Sequence, residues 1–217
     1  MHDIPVRADE RTVYIERYPA STRANHWLVV ILFMLAALSG LGLFHPALAW
    51  LVNLFGGGPW ARILHPFLGL AMALGFIGLA MHVAGENRML DRDRQWLRQW
   101  RDVVANREGD LPEAGKYNAG QKLVFWSMLV LLVLLLVTGF LFWRPWFTPY
   151  VPITVVRLAT LIHSASAALL VILVIVHAYA AIWVKGSVRA MVQGYVSARW
   201  ARIHHSLWYR EVTRDRP

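Results

Sequence analysis

His163 and His177 stand fourteen residues apart in LIHSASAALLVILVIVHAYAAIW, a stretch with no charged residue. An imidazole in hydrocarbon is costly unless something binds it, so intramembrane ionisable groups point to function. A neutral imidazole offers a ring nitrogen to a metal, or relays a proton. Fourteen residues at about 100° each fall about 40° short of four full helical turns, so both rings project from nearly one face. At about 1.5 Å per residue they are about 21 Å apart along the axis, which suits two stacked sites near opposite membrane surfaces.

Four elements are needed to face them. The chain has 217 residues, 57% of them hydrophobic and only 16% charged, with a mean hydropathy of +0.42. Soluble domains are about 45–50% apolar and about 25% charged. Four apolar runs fit membrane spans, about Trp27–Phe44, Ile63–Val83, Leu123–Trp143 and Thr154–Val184. The leading 25 residues are too acidic and too long for a signal n-region, so the first helix is expected to stay in the mature protein. With no cysteine, this chain cannot ligate iron–sulfur clusters or attach c-type haem covalently.

The net charge of +9 is a topology signal. Lys and Arg number 4 before the first span (Arg7, Arg11, Arg17, Arg23), 8 between the second and third, and 7 after the fourth, against Arg62 in one remaining loop and Arg144 and Arg157 in the other. The positive-inside rule puts both termini and the middle loop in the cytoplasm, and nucleic-acid binding is a poor reading of such a distribution. The expected fold is an all-α membrane protein, a four-helix bundle with cytoplasmic termini. It divides into an N-terminal arm (1–25), a membrane domain (26–184, cytoplasmic loop about 86–122) and a tail (185–217). The first outer loop, rich in Gly and Pro, suggests a tight hairpin. In the middle loop Trp96, Trp100, Val103 and Val104 fall on one side of a helix that either lies on the membrane surface or packs on a partner.

Depth sorts the nine histidines. His2, His204 and His205 fall in the polar arm and tail, where a solvated role is the default; His45 ends the first span. The fourth span enters from outside, so His163 is outer and His177 inner; His65 is outer on the second span and His26 inner on the first. The depth-matched pairs are His65 with His163 and His26 with His177. Bundles build cofactor sites from facing helices, and paired histidines facing across one suit b-type haem. Ser39 to Gly42, Gly69, Gly75, Gly78 and the SASAA after His163 would make room for it; close helix packing explains the same residues equally well. His82 competes for the inner site but is rotated about 100° from His65, so a satisfied polar or supporting role suits it better.

With RxxHW opening the first span, four spans, and histidines fourteen apart on the fourth, the chain resembles the γ subunits of respiratory formate dehydrogenases, di-haem cytochrome b membrane subunits. RxxHW alone is shared with b-type cytochromes of nickel–iron hydrogenases. The resemblance covers nearly the whole chain. It implies two haem b groups, an outer one on His65 and His163 and an inner one on His26 and His177. YNAGQK resembles the family's quinone segment, implying that Asn118, Gly120 and Gln121 help form a quinone site beside the inner haem. Asn118 equally suits a helix cap. It further implies an iron–sulfur subunit, a catalytic molybdenum or tungsten subunit, and a bacterial inner-membrane location.

The expected function is electron transfer from a periplasmic iron–sulfur partner to quinone at the cytoplasmic side, with formate oxidation in another subunit. Arg23, Lys122 and Arg157 near span ends suit haem propionates, or interfacial anchoring. A hydrogenase or another periplasmic oxidoreductase as donor is the alternative. An ion or proton pathway predicts intramembrane carboxylates, and no Asp or Glu falls in any span. A haem-free anchor, with the histidines bonding helices together, is the third reading.

Overall fold

The computed structural model describes residues 6–9, 12–104, 111–144 and 146–214. His2, Arg11 and the side chains of Arg7, Val103 and Val104 lie outside the described residues. The chain is mostly helical (78%). Four helices are long and apolar enough to cross a membrane: α1 (Ala20–Phe44), α2 (Gly58–Val83), α5 (Ala119–Leu141) and α6 (Ile153–Trp183). In hydrocarbon each backbone N–H must find its acceptor within the segment, which a helix achieves and an irregular chain does not. Each helix takes in the expected run, or all but its last residues, and α1 begins seven residues before it.

The contacts divide the chain into two compact units. One holds Ala24–Ala80 and Ser127–His177, the greater part of all four spans. Its centre is Met72, Ala73 and Leu132, packed with Val29, Leu32, Phe33, Phe76 and Leu136 from α1, α2 and α5. Side chains such as Ile31, Leu74, Val130 and Ile175 are exposed, as an apolar solvent requires. Pro66 lies inside α2 and donates no N–H to the preceding turn. Between α1 and α2 the expected hairpin is a 3-10 helix, Pro46–Phe55. His45 caps it, its Nδ1 accepting the Ala47 N–H at 3.2 Å, and it ends at Gly56, whose φ of 85° favours glycine.

The second unit holds Met1–Arg23, Met81–Trp126 and Ala178–Pro217. It contains a three-stranded antiparallel sheet ordered β1 (Val6–Asp9), β2 (Thr12–Glu16), β3 (Tyr195–Ser197). Ile15 pairs with Val6 on one side and Val196 on the other. Short helices α7 (Ser187–Gln193), α8 (Ala198–His204) and α9 (Ser206–Thr213) complete the tail. In the middle loop, α3 (Asp91–Arg98) and α4 (Trp100–Val104) are separate helices. Trp96 packs against Gly120, while Trp100 is exposed, so the two tryptophans do not share an environment. Asp93 and Lys122 form a buried ion pair at 2.7 Å, and the Lys122 Nζ also donates to the Arg88 carbonyl at 3.0 Å.

Candidate functional site

The structure brings His65 and His163 together inside the spans, their ring centres 6.3 Å apart and their planes at 72°. Each is half-buried and each meets a hydroxyl on the preceding span. Ser39 Oγ on α1 lies 3.0 Å from His65 Nδ1, and Thr138 Oγ1 on α5 lies 3.0 Å from His163 Nδ1. A glycine follows each hydroxyl residue. A Cβ on Gly40 would come 2.9 Å from His65 Cε1, and one on Gly139 would come 3.5 Å from His163 Cε1. Phe142 packs on His163 edge to face, with ring centres 5.0 Å apart.

Of the inner pair, His26 on α1 is half-buried and His177 on α6 is exposed. His26 Nδ1 is buried without a hydrogen-bond partner, a cost that a bound group or a water at the ring would relieve. Its neighbour Asn25 donates from Nδ2 to the Gly75 carbonyl at 3.0 Å, tying α1 to α2. A Cβ on Gly75 would meet Val29 at 3.0 Å, so that glycine serves helix packing. Of the two depth-matched pairs, the structure brings the rings of His65 and His163 together. His82 is exposed, and His45 is spent on its cap.

Asn118 and Gln121 share the first turn of α5 and cap it reciprocally. The Gln121 N–H donates to Asn118 Oδ1 at 2.9 Å, and the Asn118 N–H donates to Gln121 Oε1 at 3.0 Å. This is a capping box, which satisfies orphan donors at a helix start. With both oxygens engaged, what these amides offer a ligand is their NH₂ groups. Gly120 is tightly enclosed: a Cβ there would come 3.2 Å from the Trp96 ring and 3.4 Å from Asn118 Oδ1.

Of the basic residues near span ends, Lys122 is committed to Asp93. Arg23 donates from one guanidinium nitrogen to the Val192 carbonyl at 2.5 Å, while its Nε is buried without a partner. Arg157 is exposed. His205 departs most from expectation. It is 2% exposed, its Nδ1 lies 2.7 Å from the Gly115 carbonyl and its Nε2 3.3 Å from Arg17. Burial, followed by the Arg17 charge, pushes its pKa down to about 3. Arg17, also buried, donates to the Lys116 carbonyl and is surrounded by Tyr18, Tyr117, Trp200 and Trp208, with ring centres 5.0–5.9 Å away.

Sequence reasoning missed Thr138 and Gly139. Their signal is the dipeptide SG at 39–40, matched by TG at 138–139, each one span ahead of an outer histidine.

A bundle of apolar spans with a facing pair of histidines inside it is the architecture of a membrane cytochrome b. The family model described as prokaryotic cytochrome b561 matches residues 17–194. The chain is 46% identical over 198 residues to the formate dehydrogenase cytochrome b556(fdo) subunit of Escherichia coli K12, covering 91% of this chain and 93% of that one. It is 44% identical to the nitrate-inducible cytochrome b556(Fdn) subunit of the same strain, over 93% and 90% of the two chains. With the formate dehydrogenase cytochrome b556 subunit of Haemophilus influenzae it shares 41% identity over 97% and 87%. The chain belongs to the prokaryotic cytochrome b561 family, among the formate dehydrogenase cytochrome b subunits. It is an integral membrane protein of a bacterial haem b family.

Proposed function

We propose that His65 and His163 are the axial ligands of an outer haem b, and His26 and His177 those of an inner one. The chain then carries electrons from a periplasmic iron–sulfur partner to quinone at the cytoplasmic side of a bacterial inner membrane. The observation that carries this reading is the His65–His163 pair. Metal–nitrogen bonds of about 2 Å, continued to the ring centres, put two axial imidazoles about 6 Å apart, and the rings stand at 6.3 Å. The orphaned Nδ1 of His26 equally fits a bound group.

When bound, haem b supplies a one-electron iron couple whose potential follows its ligands, burial and hydrogen bonds. The protein's own residues do the rest. The four histidines must be neutral with a ring nitrogen unprotonated to hold a metal. Asn118 and Gln121, fixed by their mutual cap, present NH₂ donors to a quinone carbonyl, with Gly120, packed against the Trp96 ring, between them. The spans exclude water from the outer pair. Moving an electron inward against the membrane potential costs up to about 2.3 kcal/mol per 100 mV, which a strongly reducing donor such as formate can supply. The relatives' names favour a formate dehydrogenase as the donor complex, with an iron–sulfur subunit and a catalytic molybdenum or tungsten subunit as partners.

Pyridine haemochrome on the purified complex tests the reading. Two haems per copy of this chain, falling to one or none in His163→Ala and in His177→Ala, are expected. A wild-type complex with no haem on this chain sinks it.

A further inference from the structure

We infer that Ser39 and Thr138 are positioning residues for the outer pair: each hydroxyl accepts the Nδ1 proton of its histidine and so keeps Nε2 free to bind iron. This rests on His65 and His163 as axial ligands.

The inference follows from where the single proton of each hydroxyl goes. Ser39 Oγ lies 2.9 Å from the Leu35 carbonyl and 3.0 Å from the Ala36 carbonyl. Thr138 Oγ1 lies 2.6 Å from the Leu134 carbonyl and 3.3 Å from the Leu135 carbonyl. A carbonyl can only accept, so a hydroxyl turned toward the imidazole would set its lone pairs against two carbonyl oxygens. Donating into its own helix, a common arrangement for Ser and Thr, it offers a lone pair to the ring instead. Nδ1 at 3.0 Å must then carry the proton.

The device occurs twice with the same parts. A hydroxyl residue on one span meets a histidine 26 or 25 positions later on the next, and the glycine after the hydroxyl residue lies beside that histidine's Cε1. Partners of this kind fix the tautomer, aim the ring and raise ligand basicity, and losing one typically weakens metal binding by about 10–100-fold. The inner pair differs, since His26 Nδ1 has no partner.

Ser39→Ala and Thr138→Val in the intact complex remove one acceptor each, with Ser39→Thr and Thr138→Ser as the hydroxyl-retaining controls. Redox titration with low-temperature electron paramagnetic resonance reads the haems separately, and haem content is measured after challenge with a haem-binding apoprotein. Without its acceptor the ligand is a poorer donor to ferric iron. The outer haem then titrates at a higher potential, with about a threefold or larger rise in its ferrous-to-ferric ratio at fixed potential, and leaves about tenfold faster. The inner haem is unchanged, and the controls behave as wild type. An outer haem in Ser39→Ala with wild-type potential, spectrum and retention overturns the inference while leaving the ligand assignment intact. If His65→Ala and His163→Ala each keep both haems, the ligand assignment fails, and the inference with it.

Discussion

Gly40 and Gly139 play matching parts, yet they leave different amounts of space. A Cβ on Gly40 would intrude to 2.9 Å of His65 Cε1, whereas one on Gly139 would reach only ordinary van der Waals contact at 3.5 Å. Gly40→Ala therefore requires the His65 ring to move, and moving it breaks the 3.0 Å contact with Ser39. Gly139→Ala requires no movement. In haem content and visible spectrum of the assembled complex, Gly40→Ala is expected to lose or perturb the outer haem, while Gly139→Ala retains it. The reverse order would mean that helix spacing, and not the ring, makes a glycine necessary at position 40. The approach of His65 to His163 was legible in the sequence because depth and rotation depend only on helical periodicity. The hydroxyl contacts were not legible: whether Ser39 reaches His65 depends on how close two spans approach and how they turn, which the pattern of one span does not carry.

The tail shows the same limit among secondary-structure elements. Four spans could be read because each is a local run of apolar residues. The sheet could not, because β2 finds β3 about 180 positions away, and the pairing of Ile15 with Val196 leaves no periodic trace in either segment. His205 was misread for a related reason. It lies in a polar segment, but it is the joint between α8 and α9, accepting the Tyr209 N–H at 2.8 Å on its carbonyl and meeting the Gly115 carbonyl with its ring. Its folded pKa of about 3 lies below the ordinary value of about 6.5. The detached tail therefore takes up a proton near pH 6.5 that the packed tail refuses until about pH 3. Packing is at full strength above about pH 6.5, and is weakened by about 1.4 kcal/mol for each pH unit below it, down to the folded pKa. Hydrogen exchange of the α8 and α9 amides, corrected for intrinsic rates, should show opening about fivefold more frequent at pH 5.5 than at 6.5. His205→Gln keeps an NH donor for Gly115 but does not titrate, so it should flatten that slope. An equal slope in both proteins would place the pH sensitivity elsewhere.

For the whole molecule, one unit gathers the three basic segments of the sequence. Arg17 before α1, Lys116 and Tyr117 between α2 and α5, and Trp200, Trp208 and His205 after α6 meet around one guanidinium. Segments in contact occupy the same side of a membrane, and an even number of spans permits it. Packing thus reaches by an independent route what the distribution of Lys and Arg implies, that both termini and the middle loop are together. The charge bias predicts that this side is the cytoplasm. The sequence contains no cysteine, so single introduced cysteines give a clean readout. Tyr150, 86% exposed in the loop between α5 and α6, and the exposed Glu211 of α9 sample the two sides. In intact spheroplasts a membrane-impermeant maleimide should label Tyr150→Cys directly, and should label Glu211→Cys only after permeabilisation. The opposite pattern would invert the protein and put the Asn118–Gln121 turn outside. Quinone reduction would then draw its protons from the periplasm, and inward electron transfer would no longer be coupled to proton uptake from the cytoplasm.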